Sequence, residues 1–296
     1  MDVVKPEIPT IPILLGPTAS GKSHLALEWA RQQGERSSAP PQIINADAMQ
    51  HYQPLRIITA RPSPSDEAEF THRLYGVLAA EQVATAAWWR NQVLAILRQD
   101  PTRPTIIVGG SGLYIQALTD GLSPIPNIPP QFRTEASERL ESIGHESFHA
   151  EIARFDPTAA ATIRVSDRQR MIRAWEVFAA TKRPLSQWQA EPRIGKPADF
   201  DFKLQLLTPP RAIVVERINR RVLSMIEDGA VAEVANLMDN LPKLPPDLPM
   251  MKAIGVSSLL DYLNGTIDLP AAISEIQSQT RAYAKRQMTW IRRLER

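Results

Sequence analysis

The stretch from Ile13 to Ala30, ILLGPTASGKSHLALEWA, constrains this chain more than any other. It fits G-x-x-x-x-G-K-[S/T] through Gly16, Gly21, Lys22 and Ser23. An apolar run leads into it and a helical pattern opens from it, which is the context the mechanism requires. At average composition, a chance match somewhere in a chain this long has a probability on the order of one per cent. Glycines let the backbone turn so that successive N–H groups face an anion, and the start of a helix adds favourable partial charge. Lys22 then bridges phosphate oxygens, and Ser23 offers its hydroxyl to Mg²⁺. The pattern specifies a polyphosphate without saying which one.

Short β-branched runs recur through the first half, each ending at chemically useful residues. IPILL leads into Gly16, PQIINAD ends at Asp47, and PTIIVGGSG ends at Gly109 and Gly110. A fourth, FDFKLQLLTPP, follows at Phe200–Pro210. Continuous apolar runs suit strands buried on both faces of a parallel sheet, and helical patterns lie between them, as at Ser23–Gln33 and Ala84–Gln99. The expectation is an α/β core with right-handed crossovers. Residues 1–122 form its first part. The proline-rich GLSPIPNIPPQF opens a helical insertion over 123–199, in which Ser166 and Gln169 predict a capping box. Residues 200–296 complete the core and are mostly helical, interrupted by the turn NLPKLPPDLPMM. With no cysteine, disulfides, thiolate metal sites and cysteine nucleophiles are excluded together. No apolar run approaches the roughly 20 residues of a spanning helix, and the N-terminal residues do not read as a secretory leader. These features predict a cytoplasmic protein.

A nucleotide hydrolase of this loop type carries an acid at the end of a neighbouring strand to hold metal and order water. Here one strand run ends in the uncharged Gly109, Gly110, Ser111 and Gly112, and the acid, Asp47, ends another. Asp47 could hold metal, cap a helix or take a proton from a nucleophile. A small-molecule kinase and a nucleic-acid-binding NTPase remain open on these residues alone.

Taken in order, GPTASGKS, IINADAMQHYQPLRIITARPS, HRLYGVL, IIVGGSGLYIQAL, SDRQRMIRAWEVF, RINRRVLSMIEDGAVAEV, KAIGV and TRAYAKRQMTWIRR resemble the bacterial tRNA dimethylallyltransferases, also called tRNA isopentenyltransferases. The resemblance runs over nearly the whole chain, from about residue 10 to residue 293. It implies a P-loop NTPase-like core, a parallel sheet flanked by helices, with a helical insertion that binds the tRNA anticodon arm. The implied reaction moves the dimethylallyl group of dimethylallyl diphosphate onto N6 of the adenosine 3′ to the anticodon, with Mg²⁺ and without ATP hydrolysis. The loop residues Gly16, Thr18, Ala19, Ser20, Gly21, Lys22 and Ser23 would hold the diphosphate leaving group, aided by Arg220, with Arg217 the weaker candidate. Asp47 matches the general base, and Ser111 stands at the family's usual threonine. Contacts to tRNA carry over to Asp47, Ala48, Met49, Gln50, Ser111, Arg133, the block Gln169, Arg170, Met171, Ile172 and Arg173, then Lys252, Gly255, Arg281, Lys285 and Arg286. The implied enzyme is a monomer. An adenylate isopentenyltransferase would share the chemistry without needing a tRNA grip.

Three departures are Ala48 in place of serine, Ser111 in place of threonine, and Val256 where an aromatic commonly follows Gly255. Val256 is thereby expected to remove a stacking surface.

RNA binding has support apart from the resemblance. On a helix of 100° per residue over 273–296, Ile273, Ile276, Thr280, Ala284, Gln287, Ile291 and Leu294 share one face. Arg281, Lys285, Arg292 and Arg296 line the other, with Arg286 and Arg293 beside them. Arg168, Arg170 and Arg173 form a second basic cluster. One apolar and one cationic face is the footprint of a nucleic-acid helix.

Overall fold

The computed structural model describes residues 8–240 and 248–294. Its elements in chain order are β1 (Thr10–Leu15), α1 (Lys22–Gly34), β2 (Gln42–Ala46), α2 (Pro64–Glu69), β3 (Thr71–Arg73), α3 (Ala86–Gln99), β4 (Thr105–Gly109) and α4 (Gly112–Thr119). Then come α5 (Pro130–Phe155), α6 (Pro157–Ala160), α7 (Arg168–Thr181), α8 (Leu185–Ala190), β5 (Asp201–Leu206), α9 (Arg211–Glu227), α10 (Ala230–Asn240), α11 (Val256–Leu263) and α12 (Leu269–Ile291).

The five strands form one sheet in the order β3-β2-β4-β1-β5, every pair parallel. All residues of β2 and β4 are buried, as strands covered on both faces must be. Alternation divides the core: Ile13, Leu15, Ile44 and Ile107 pack with Trp89, Val93, Leu97 and Ile115 of α3 and α4. Leu14, Ile43, Ile106 and Val108 pack on the opposite face against Ala26 and Ala30 of α1. Phe200–Pro210 departs from the sequence expectation. Its strand, β5, lies at the sheet edge and alternates exposed with half-buried positions. The three-residue β3 escapes periodicity because it is too short to show any; its pairing with β2 holds it in place.

Two compact units emerge: residues 1–119 with 197–296, and residues 120–196. The second is helical, with α5 broken at Gly144 (φ 78°, ψ 167°). Leu140, Phe148, Ile152, Met171 and Val177 form its interior. The predicted capping box at Ser166 is not the cap that forms. Asp167 caps α7 by accepting from the Arg170 N–H at 3.2 Å, because its side chain stands one residue nearer the orphan donors. In the first unit α12 ends at Ile291, short of the expected 296, and Arg296 lies outside the described residues. Most of the turn NLPKLPPDLPMM lies outside them too. Among the described residues no helix is long and apolar enough to cross a membrane.

Candidate active site

The C-terminal ends of β2, β4 and β1 stand side by side, where open parallel sheets place their ligands. Backbone bonds stitch these ends together. The Gly16 N–H donates to Gly109 O at 3.2 Å, and the Ser111 N–H to Ala46 O at 3.1 Å. Asp47, Ser111 and the loop from Gly16 to Ser23 therefore meet along one edge.

Within the loop, Ala19 (φ 59°) and Gly21 (φ 95°) are both left-handed. Alternating handedness turns successive N–H groups to one side, forming an anion nest. For Ala19 that geometry costs on the order of 1 kcal/mol. Its burial beside Val214, Ile218 and Ala284 holds it there. Gly21 is the N-cap of α1, no side chain caps that helix, and its first turn has no acidic residue. The orphan donors of α1 are thus left for an external anion. The Ser20 hydroxyl is buried without a partner among the described residues. One N–H is already committed: Thr18 donates to Gln287 Oε1 at 2.8 Å.

Lys22 is half-buried, and its ammonium sits 3.2 Å from Pro17 O. Burial pulls its pKa down to about 8; Asp47 opposes the shift and Arg221 adds to it. Across from the loop, α9 lines an open cleft with Arg217, Arg220, Arg221 and Ser224, facing Ala19, Gly21 and His24. Those lining residues include three arginines and no carboxylate.

The resemblance places Arg220 on the diphosphate ahead of Arg217, and the geometry ranks the arginines differently. Arg220 is 69% exposed and paired with Glu216 at 3.3 Å. Arg217 donates to Ser20 O at 3.0 Å, bracing the loop. Arg221, absent from the sequence expectation, is half-buried and has no carboxylate partner among the described residues; burial and Arg217 both lower its pKa. A half-buried guanidinium without a carboxylate partner among the described residues, near enough to depress Lys22, is poised for an anion. The signal was present as the last arginine of the RINRR block, but the helix phase that turns it inward is not visible there.

Asp47 leaves β2 in a tightly held turn. Its N–H donates to Asn45 Oδ1 at 2.8 Å, while Asn45 Nδ2 donates to Asp47 O at 2.9 Å and Leu74 O at 3.0 Å. Its Oδ1 accepts from the Met49 N–H at 3.0 Å, so capping and a base role are compatible. Among the described residues nothing donates to the other carboxylate oxygen. Ser111 Oγ accepts from the Ala48 N–H at 3.1 Å, which ties the Asp47 turn to β4. Gln50 Nε2 is committed to Thr59 O (2.8 Å) and Ala60 O (2.9 Å), leaving its carbonyl to meet a ligand. Ala48 and Met49 are half-buried beside it. His51, buried, has Nδ1 2.7 Å from Leu74 O and stacks on Tyr114, and burial lowers its pKa. It supports the turn from beneath.

Several residues carried over as tRNA contacts occupy other positions. Met171 and Ile172 are 0% and 1% exposed, so their side chains pack in the interior of the helical unit. Of that block Gln169 and Arg170 are exposed and Arg173 half-buried. Arg173 lies 2.7 Å from buried Glu176, with Arg133 at 3.8 Å from the same carboxylate. Gly255 is buried at φ 100°, and an added Cβ would come within 2.7 Å of Ile58 Cδ1; its role is structural. Val256 is fully buried, so the departure there alters the core and removes no stacking surface. Lys252 is exposed. Arg281 donates to Asn219 Oδ1 at 2.8 Å and is drawn off the cationic face. Lys285, Arg286, Arg292 and Arg293 remain exposed.

Comparison with known proteins agrees with this arrangement. The family model described as IPP transferase matches residues 50–294. A tRNA dimethylallyltransferase of Acidiphilium cryptum is 46% identical over 286 residues, 96% of this chain and 85% of that protein. One from Rhodospirillum centenum is 44% identical over 287 residues, 96% of this chain and 89% of that protein. Among solved structures, the tRNA isopentenylpyrophosphate transferase of Bacillus halodurans superposes with a TM-score of 0.65 at 28% identity, covering 97% of this chain and 87% of that one. A eukaryotic dimethylallyltransferase acting on tRNA shares the fold, with a TM-score of 0.78 at 23% identity over 96% of this chain and 70% of that one. A phosphate loop, a neighbouring carboxylate and this family match over most of the length lead to one conclusion: the chain belongs to the IPP transferase family.

Proposed function

We propose that this chain is a tRNA dimethylallyltransferase, transferring the dimethylallyl group of dimethylallyl diphosphate to N6 of the adenosine 3′ to the anticodon. One juxtaposition carries the reading: the cationic loop and α9 cleft stand beside a carboxylate at adjoining strand ends. As the exocyclic amine attacks the allylic carbon, its C–O bond breaks and negative charge builds on the departing diphosphate. Loop N–H groups, the Ser20 hydroxyl, Lys22 and Arg221 stabilise that charge more in the transition state than before it. Asp47, with one carboxylate oxygen not engaged by the described residues, takes the proton the amine loses. The products are the prenylated adenosine and diphosphate.

No cluster of three or more His, Cys, Asp or Glu able to hold a metal occurs among the described residues. Exposed Ser23 at the start of α1 suits Mg²⁺ carried mainly by substrate phosphates and water, the usual mode for that ion. When bound, it would add charge neutralisation at the leaving group. The target base sits in a stacked loop and must be extruded to reach Asp47. In the first unit, exposed Lys252, Lys285 and Arg286 offer phosphate contacts; in the helical unit, exposed Arg170 does so with Gln169 beside it, while Arg133 and Arg173 carry charge paired to Glu176. The same reading gives a monomer working in the cytoplasm.

Purified protein, radiolabelled dimethylallyl diphosphate and either bulk tRNA or AMP test this directly. Label in tRNA is the expected result. Label in AMP alone assigns the free-nucleotide activity, and label in neither overturns the prenyl transfer.

A further inference from the structure

Gln287 was placed by periodicity on the core face of the last helix, yet its surroundings are polar. It is 6% exposed, and its amide spans two strand ends. Oε1 accepts from the Thr18 N–H at 2.8 Å in the phosphate loop, and Nε2 donates to Gly110 O at 3.1 Å, beyond β4. A backbone donor on one side and a carbonyl on the other admit only this amide orientation. A Cβ on Gly110 would collide with Nε2 of Gln287, so that glycine is what lets the amide in. One turn earlier, Tyr283 is half-buried, and burial raises its pKa. Ser111 holds the Asp47 turn through the Ala48 N–H.

We propose that Gln287 is a positioning residue, the strut that sets the distance between the leaving-group loop and the Asp47–Ser111 strand ends. The inference rests on the functional reading above and adds a residue to it. Without the strut both halves of the site persist, but their spacing relaxes. A displacement near 1 Å is enough to cost roughly 100-fold in a transfer that needs alignment.

Two variants separate positioning from packing. Gln287→Leu keeps the bulk and loses both hydrogen bonds. Its single-turnover rate should fall roughly 30- to 100-fold and its affinity for inorganic diphosphate about tenfold, with tRNA affinity within about twofold. Gln287→Glu keeps the acceptor, and regains a donor only when its carboxyl is protonated. Its rate relative to wild type should rise roughly tenfold as pH falls from about 8 to about 6. A flat ratio, or diphosphate affinity in Gln287→Leu equal to wild type, overturns the strut. Diphosphate binding requires no prenyl transfer, so wild type that binds it without prenylating tRNA overturns the functional reading alone.

Discussion

Replacing Arg221 by methionine tests the ranking of the arginines. The side chain keeps most of its length and loses its charge. In the free protein that charge is unwelcome: it is half-buried, has no carboxylate partner among the described residues and is repelled by Arg217 and Lys22. Removing it should leave the melting temperature unchanged or raise it. With diphosphate present the balance reverses. A charge-assisted hydrogen bond contributes about 1.5–3 kcal/mol, so diphosphate affinity should drop by roughly 10- to 150-fold. Arg220→Met makes the contrast, since that guanidinium is 69% exposed and already paired with Glu216. Its loss should cost at most about 1 kcal/mol, near fivefold. Titration calorimetry with inorganic diphosphate, alongside thermal melts of both variants, supplies the comparison. If Arg220→Met loses more affinity than Arg221→Met, or if Arg221→Met melts several degrees lower with affinity intact, the assignment is wrong.

Asp47→Asn should slow single-turnover transfer by roughly 10²- to 10⁴-fold while tRNA affinity stays within about threefold; a large loss of tRNA binding with an unchanged rate contradicts the base role. Lys22 loses its proton near pH 8 in the folded protein but near 10.5 when unfolded, so the free protein's stability should rise with pH between those values. A bound anion favours the charged form, so diphosphate affinity should weaken as pH climbs above about 8, with proton uptake on binding near that pH; calorimetry in buffers of differing ionisation enthalpy reads this, and no uptake refutes it. Changing Arg286 and Arg293 together to glutamine should reduce the slope of log K against log salt for tRNA by about 1.5, and an unaltered slope removes that face from the interface.

The sequence by itself determined the phosphate loop, the strands that carry it and the acid at a strand end. Each is a local feature: glycines permit the loop's backbone, and unbroken apolar runs demand burial on both faces. The basic face of the last helix was legible for the same reason, since periodicity is a property of one segment. What a segment packs against is not local, and there the tertiary structure decided. Met171 and Ile172 lie between arginines in sequence, but only the α5–α7 packing shows them buried. Glu216 draws Arg220 outward, while α9 brings the Arg221 charge close enough to lower the pKa of Lys22. Gln287 looks like a core residue until α12 docks and places its amide between Thr18 and Gly110, positions 269 and 177 residues away in the chain. Hydrogen bonds between such distant segments depend on how the helices settle on the sheet, and no periodicity within α12 records that.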